Sequence, residues 1–98
     1  MILRFFRAIV HEGKQNEFRR FFLGTALPNV RSQPGLVSVS VGLPSDGSST
    51  EFSMVMVWRD LDALKGFTGE NSQAAVIHPD EADLLKETHV YHYDLAQT

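Results

Sequence analysis

Ile2-Leu3-Arg4-Phe5-Phe6-Arg7-Ala8-Ile9-Val10 reads as a β-strand that is apolar on both of its faces. Side chains alternate across a strand, so Ile2, Phe6, Ala8 and Val10 point one way and Leu3, Phe5 and Ile9 the other. Each face also carries one arginine, Arg4 on the first and Arg7 on the second. A strand of this kind needs cover on both sides. His11-Glu12-Gly13 then breaks the run.

Working outward, Lys14 to Leu27 reads as a helix, because Phe18, Phe21, Phe22 and Thr25 follow the i, i+3, i+4, i+7 spacing of a buried stripe. Glu17, Arg19 and Arg20 take the opposite side. Pro28 is expected to kink or end this helix, and Pro34-Gly35 is a clear break. Leu36 to Leu43 reads as a second strand, with Val37, Val39, Val41 and Leu43 inward and Ser38 and Ser40 on the reverse. Pro44 to Ser49 is a polar hairpin loop. Phe52 to Trp58 is a third strand, and its Met54-Val55-Met56-Val57 core again allows two apolar faces.

Asp60 is placed to cap a short helix through Leu61, Leu64 and Phe67, which Thr68-Gly69 can terminate. Pro79 at a first helical position, followed by Asp80, Glu81 and Asp83, suits another helix start, since carboxylates favour the positive end of the helix dipole. Leu84 and Leu85 anchor that turn, and Thr88 to Leu95 is the fourth strand. The order β-α-β-β-α-β, with a long and broken second helical stretch, is an α+β, ferredoxin-like sandwich forming a single domain over residues 1–98. Helices cover one face of such a sheet. The apolar second face, with no residues left over, calls for another copy of the chain, and a homodimer is expected.

Composition agrees with one compact domain. At 98 residues a chain buries roughly two-thirds of its unfolded surface, enough for one modest core. The 43% hydrophobic content is that of a globular protein. The net charge of −3 is unevenly spread: residues 1–50 hold six Lys/Arg against three Asp/Glu, and residues 51–98 hold three against nine. Arg19-Arg20 is the densest basic pair, too little for a nucleic-acid footprint. There is no cysteine, hence no disulfide framework and no thiolate nucleophile. Arg4 and Arg7 interrupt the apolar N-terminus, unlike a signal peptide, and apolar runs fall far short of the roughly 20 residues of a membrane span. A cytoplasmic protein is expected.

Chemistry-bearing residues crowd between Trp58 and Asp94, which hold three of the four histidines and both tyrosines. His78, just before Pro79, could serve as a general base toward a phenolic substrate. His92 is a second candidate; it shares a strand face with Val90 and Asp94, while His89, Tyr91 and Tyr93 share the other. Arg7, among apolar neighbours, could stabilise an enolate or instead form an ion pair. Trp58 and Phe67 are expected to wall a pocket between the sheet and residues 67–85, lidded by 69–79. Tyr91 and Tyr93 complete the candidate substrate-binding set. His89 and His92 point to opposite faces and His11 stands alone, so no metal site is expected. No Gly-rich phosphate loop or nucleophile elbow is present.

Taken in order, several segments resemble the antibiotic biosynthesis monooxygenase (ABM) domain family, and together they span essentially the whole chain. They are the arginine-bearing first strand (Arg4, Arg7), Pro34-Gly35-Leu36, Trp58 before Asp60-Leu61-Asp62-Ala63, and Phe67-Thr68-Gly69-Glu70. Ala75-Val76, Pro79-Asp80-Glu81, Leu84-Leu85 and Val90-Tyr91-His92-Tyr93 follow. The resemblance implies a dimeric α+β barrel, formed sheet to sheet. It further implies a cofactor-independent monooxygenase of a small aromatic or quinol-like substrate. A non-catalytic small-molecule binding protein or a small-metabolite isomerase on the same dimer is the alternative. Haem-degrading relatives use an asparagine on the first strand with a tryptophan and a histidine in the second helical region. Here Phe6, Phe67 and Val76 fall at those positions, with His78 two residues beyond, so the resemblance implies no cofactor.

Overall fold

The computed structural model describes every residue, Met1–Thr98. Strand β1 (Ile2–Val10) leads into helix α1 (Gln15–Phe21), a π-helical turn (Phe22–Ala26) and helix α2 (Leu27–Arg31). Strands β2 (Leu36–Gly42) and β3 (Glu51–Trp58) form the hairpin. Helices α3 (Leu61–Thr68) and α4 (Pro79–Ala82) and strand β4 (Leu85–Asp94) complete the chain. The sheet is antiparallel in the order β2-β3-β1-β4, which is the α+β, ferredoxin-like arrangement. No helix is long and apolar enough to cross a membrane.

The core lies on one face of this sheet. Phe6, Ala8 and Val10 of β1 and Phe52, Met54, Met56 and Trp58 of β3 alternate inward to meet Phe18 and Phe22 of the first helical stretch and Leu64 of α3. Phe18 sits at the centre, its ring 5.0 Å from Phe22 and 4.9 Å from Phe52. The reverse face has no helix over it. Leu3, Phe5, Ile9, Val55 and Val57 are only half-buried there, and Tyr91 and Tyr93 are 41% and 54% exposed.

Three details differ from the sequence reading. The first helix does not stop at Pro28 but continues to Arg31. The π turn explains this: the Leu27 N–H reaches back five residues to the Phe22 carbonyl, widening the helix just ahead of the ring that would otherwise collide with it. Second, Val37 is not inward. Pairing jumps from Leu36 opposite Trp58 to Ser38 opposite Val57, so Val37 lies in a bulge, 51% exposed, and Leu36 takes the inward place. Third, β4 begins at Leu85 rather than Thr88, because its pairing runs on to Ile9 and Val10.

The termini of α3 lie at the cap residues that the sequence offers. Asp60 Oδ1 accepts the Ala63 N–H at 2.8 Å, and Gly69, at φ 83°, closes α3. Gly35, also at φ 83°, packs so tightly on Ala63 that a side chain could not fit, which brings the β2 end against α3.

Candidate active site

An apolar chamber opens between the sheet and its helices. Phe6, Met54 and Met56 form its floor, Phe22, Ala26 and Val30 one wall, and Phe67 and Val76 the other. The enclosed part holds only about 40 Å³, and it continues outward into a groove of about 420 Å³ bordered by Phe21, Ile77 and His78. Only two lining residues of the chamber are not hydrophobic: Arg4 and Glu81.

Arg4 projects from β1 onto the helix side and is 1% exposed. Its guanidinium ties down the irregular segment between α3 and α4: Nη1–H donates to the Ser72 carbonyl at 2.8 Å and Nη2–H to the Ala74 carbonyl at 2.9 Å. Nη1 also lies 2.9 Å from His92 Nε2. All three partners are neutral acceptors. No carboxylate pairs with this cation, and its buried Nε–H has no partner. Burial pulls the Arg4 pKa down to about 10, which still leaves the group charged at neutral pH. Phe67 stands over the guanidinium, its centroid 6.0 Å from Cζ.

Because arginine can only donate, His92 Nε2 must be the acceptor, so the proton of the neutral ring sits on Nδ1. Burial, and then the charge of Arg4, lower the pKa of His92. Its basic nitrogen is therefore occupied, and its ring stays neutral as pH falls below the ordinary histidine range.

Glu81 comes from the first turn of α4 and is 4% exposed. It forms a capping box: its Oε2 accepts the His78 N–H at 3.1 Å, while His78 Nδ1 accepts the Asp80 N–H at 3.1 Å. The other carboxylate oxygen makes no hydrogen bond. Burial raises the pKa of Glu81, against the lowering by the His78 backbone bond and by the His78 charge.

The sequence-predicted residues are divided between the two faces of the sheet. Phe67 lines the chamber and His78 the rim of the groove, its ring 5.5 Å from Phe21. Trp58 is fully buried behind Phe67, with the rings stacked at 5.2 Å and 20°, and it reaches the chamber only through that ring. His92 lies behind Arg4 rather than in the chamber wall. Arg7, Tyr91 and Tyr93 are on the helix-free face. There Arg7 makes a bidentate pair with Glu51, at 2.6 Å and 3.1 Å, which holds its pKa above the ordinary arginine value.

Sequence reasoning passed over Arg4 and Glu81 as site residues. Arg4 had a signal, since it shares its strand face with Phe6, Ala8 and Val10, the residues that meet the helices. Glu81 had one too: it lies three residues before Leu84 and so on the inward side of the turn, whereas Asp80 and Asp83 point outward and are exposed.

A sequence profile described as antibiotic biosynthesis monooxygenase matches residues 1–78. No curated protein matches the sequence. Among solved structures, the chain resembles protein SO0527 from Shewanella oneidensis, with TM-score 0.75 and 18% identity over 94% of this chain and 87% of that one. SnoaB, a cofactor-independent oxygenase from Streptomyces nogalater, gives TM-score 0.70 and 23% identity over 99% and 94%. PA3566 from Pseudomonas aeruginosa gives 0.72 and 18% over 97% and 94%. At such identities the likeness is one of fold.

Proposed function

The chain belongs to the antibiotic biosynthesis monooxygenase family, and on that footing we propose that it is a cofactor-independent monooxygenase of a small, planar quinol- or anthrone-like substrate, acting as a homodimer. The observation that carries this reading is the apolar chamber with a buried, carboxylate-free arginine in its wall. Apolar walls suit a flat aromatic ring, and the cation suits the oxygen on which negative charge collects after deprotonation. SnoaB, similar in fold, supports the same class of chemistry.

The protein's part in such a reaction is limited. An anthrone methylene loses a proton, and the resulting carbanion, delocalised onto the ring oxygen, passes an electron to O₂. Radical recombination at that carbon gives a peroxide, which loses water. One oxygen atom ends as the new carbonyl and the other as H₂O, so CH₂ plus O₂ balances to C=O plus H₂O. The chain supplies a dry pocket, a proton acceptor and an oxyanion donor. His78, with Nδ1 engaged by Asp80, carries its proton on Nε2 and presents a donor to a ligand in the outer groove. His92 positions Arg4.

The homodimer is supported by the helix-free face, where Phe5, Val55 and Val57 line up beside Tyr91 and Tyr93. Arg7 and Glu51 sit at its margin as a matched pair. The enzyme reading is tested by oxygen uptake with a panel of anthrones and quinols. One O₂ consumed per quinone formed, with one atom of ¹⁸O₂ in the product, is expected. Uptake no faster than autoxidation across the panel would leave a binding protein, the alternative that the engaged basic nitrogens of both histidines favour.

A further inference from the structure

We infer that Glu81 takes the proton of a hydroxylated or enolisable aromatic substrate in this chamber, and that Arg4 holds the oxygen left negative. The inference rests on the monooxygenase reading for its substrate class, and on the following geometry for its residues.

Glu81 and Arg4 are the only polar members of an otherwise apolar lining, and they form no ion pair with each other. Each is nearly inaccessible to bulk water, at 4% and 1% exposure. A buried charge without a countercharge is costly, and a bound group of complementary character would relieve that cost. Each also has bonding capacity left over. Arg4 has five N–H donors, of which three are used; the Nε–H is among those free. Glu81 has one oxygen on the His78 N–H and one without a bond.

A phenol or enol whose ring lies in the outer groove and whose oxygen reaches inward between them satisfies both. Its O–H bond breaks toward the free Glu81 oxygen, the electron pair stays on the substrate oxygen, and Arg4 neutralises it. The proton ends on Glu81, and charge in the chamber is conserved. Neither histidine offers this: His92 Nε2 is engaged by Arg4, and His78 Nδ1 by the Asp80 N–H. The titratable groups around Glu81 are His78, which it caps, Arg4 across the chamber, and Asp80 and Asp83 on its own short helix. Burial dominates its pKa, in the direction that makes it a stronger base than an exposed carboxylate.

Glu81→Gln is the decisive variant, since glutamine can still accept the His78 N–H and keep the capping box while losing the ability to take a proton. The probe is alizarin, a hydroxyanthraquinone whose colour reports its ionisation, at a pH below that of its free ionisation. The intact protein should bind it as the coloured anion with no net proton exchanged, by calorimetry in two buffers of different ionisation enthalpy. Glu81→Gln should either bind it neutral or release one proton to buffer. Arg4→Lys, which keeps the charge but not the fork, should shift the bound dye back toward its neutral colour. Dye bound neutral by the intact protein, or dye bound by Glu81→Gln as the coloured anion with no proton released, overturns the proposal.

With a turned-over quinol or anthrone, Glu81→Gln should lose about 10²–10⁴-fold in kcat with little change in KM. Unchanged kcat would overturn the role of Glu81 while leaving the monooxygenase standing. Conversely, the dye result without oxygen uptake on any substrate would remove the oxygenase and leave the Glu81–Arg4 pair as a proton-transfer site.

Discussion

Arg4 and His92 meet side by side in the register of β1 and β4, with Nη1 2.9 Å from Nε2. One contact therefore sets the tautomer of the histidine and the orientation of the arginine. His92→Leu leaves a buried N–H without its acceptor, which costs about 1–3 kcal/mol. His92→Gln, which supplies a carbonyl oxygen, should recover part of that loss in a urea titration. Equal losses in both variants would show that the acceptor is irrelevant.

The same pair gives a pH dependence of defined sign. The pKa of His92 is lower in the folded chain than the ordinary 6.5, so the unfolded chain binds the proton more readily. Its contribution to stability is complete above that ordinary value and is lost as pH falls through the folded one. NMR titration should show His92 remaining neutral below the pH at which an exposed histidine protonates. A normal titration would contradict the buried contact.

Glu81 works in the opposite direction. Its folded pKa is raised above 4.5, so its favourable contribution is complete below that value and is lost as pH rises through the folded pKa. Glu81→Gln should consequently be at least as stable as the parent at pH 7, despite changing a buried residue. A clear drop in Tm at pH 7, absent at pH 4, would mean that the ionised carboxylate stabilises the fold.

Phe67 shields Trp58, the only tryptophan, from the chamber. In the parent protein acrylamide should quench Trp58 emission poorly. Phe67→Ala should expose the indole to the chamber and increase quenching severalfold at unchanged secondary structure. Equal quenching would place the ring elsewhere.

The helix-free face predicts self-association. Light scattering at micromolar concentration should give about twice the 11.0 kDa chain mass, and Val55→Glu should return it to a folded monomer. A parent protein already at 11.0 kDa would sink the dimer.

Much of this was legible in the chain. The alternation of Ile2–Val10 and Phe52–Trp58, the Asp60 cap and the Pro79 helix start are local patterns, and each appears where its residues put it. What local pattern could not supply was distance in sequence. Nothing near Arg4 announces His92, 88 positions on, or the Ser72 and Ala74 carbonyls, so local pattern points to Arg7, and only the side taken by the helices selects Arg4 instead. Passage of the helix through Pro28 depended on a π turn, and the outward flip of Val37 on a bulge, both of which add a residue without a compositional mark.

The bulge at Val37 also bears on strand-to-strand aggregation. β2 pairs with β3 on one side only, and β4 with β1 on one side only, so each end of the sheet leaves a row of peptide groups open to recruitment by another chain. The irregular step between Leu36 and Ser38 spoils the straight template at one end, and Lys86 and Glu87 place charge at the other. Growth into a continuous fibril by adding strand to strand is thereby disfavoured.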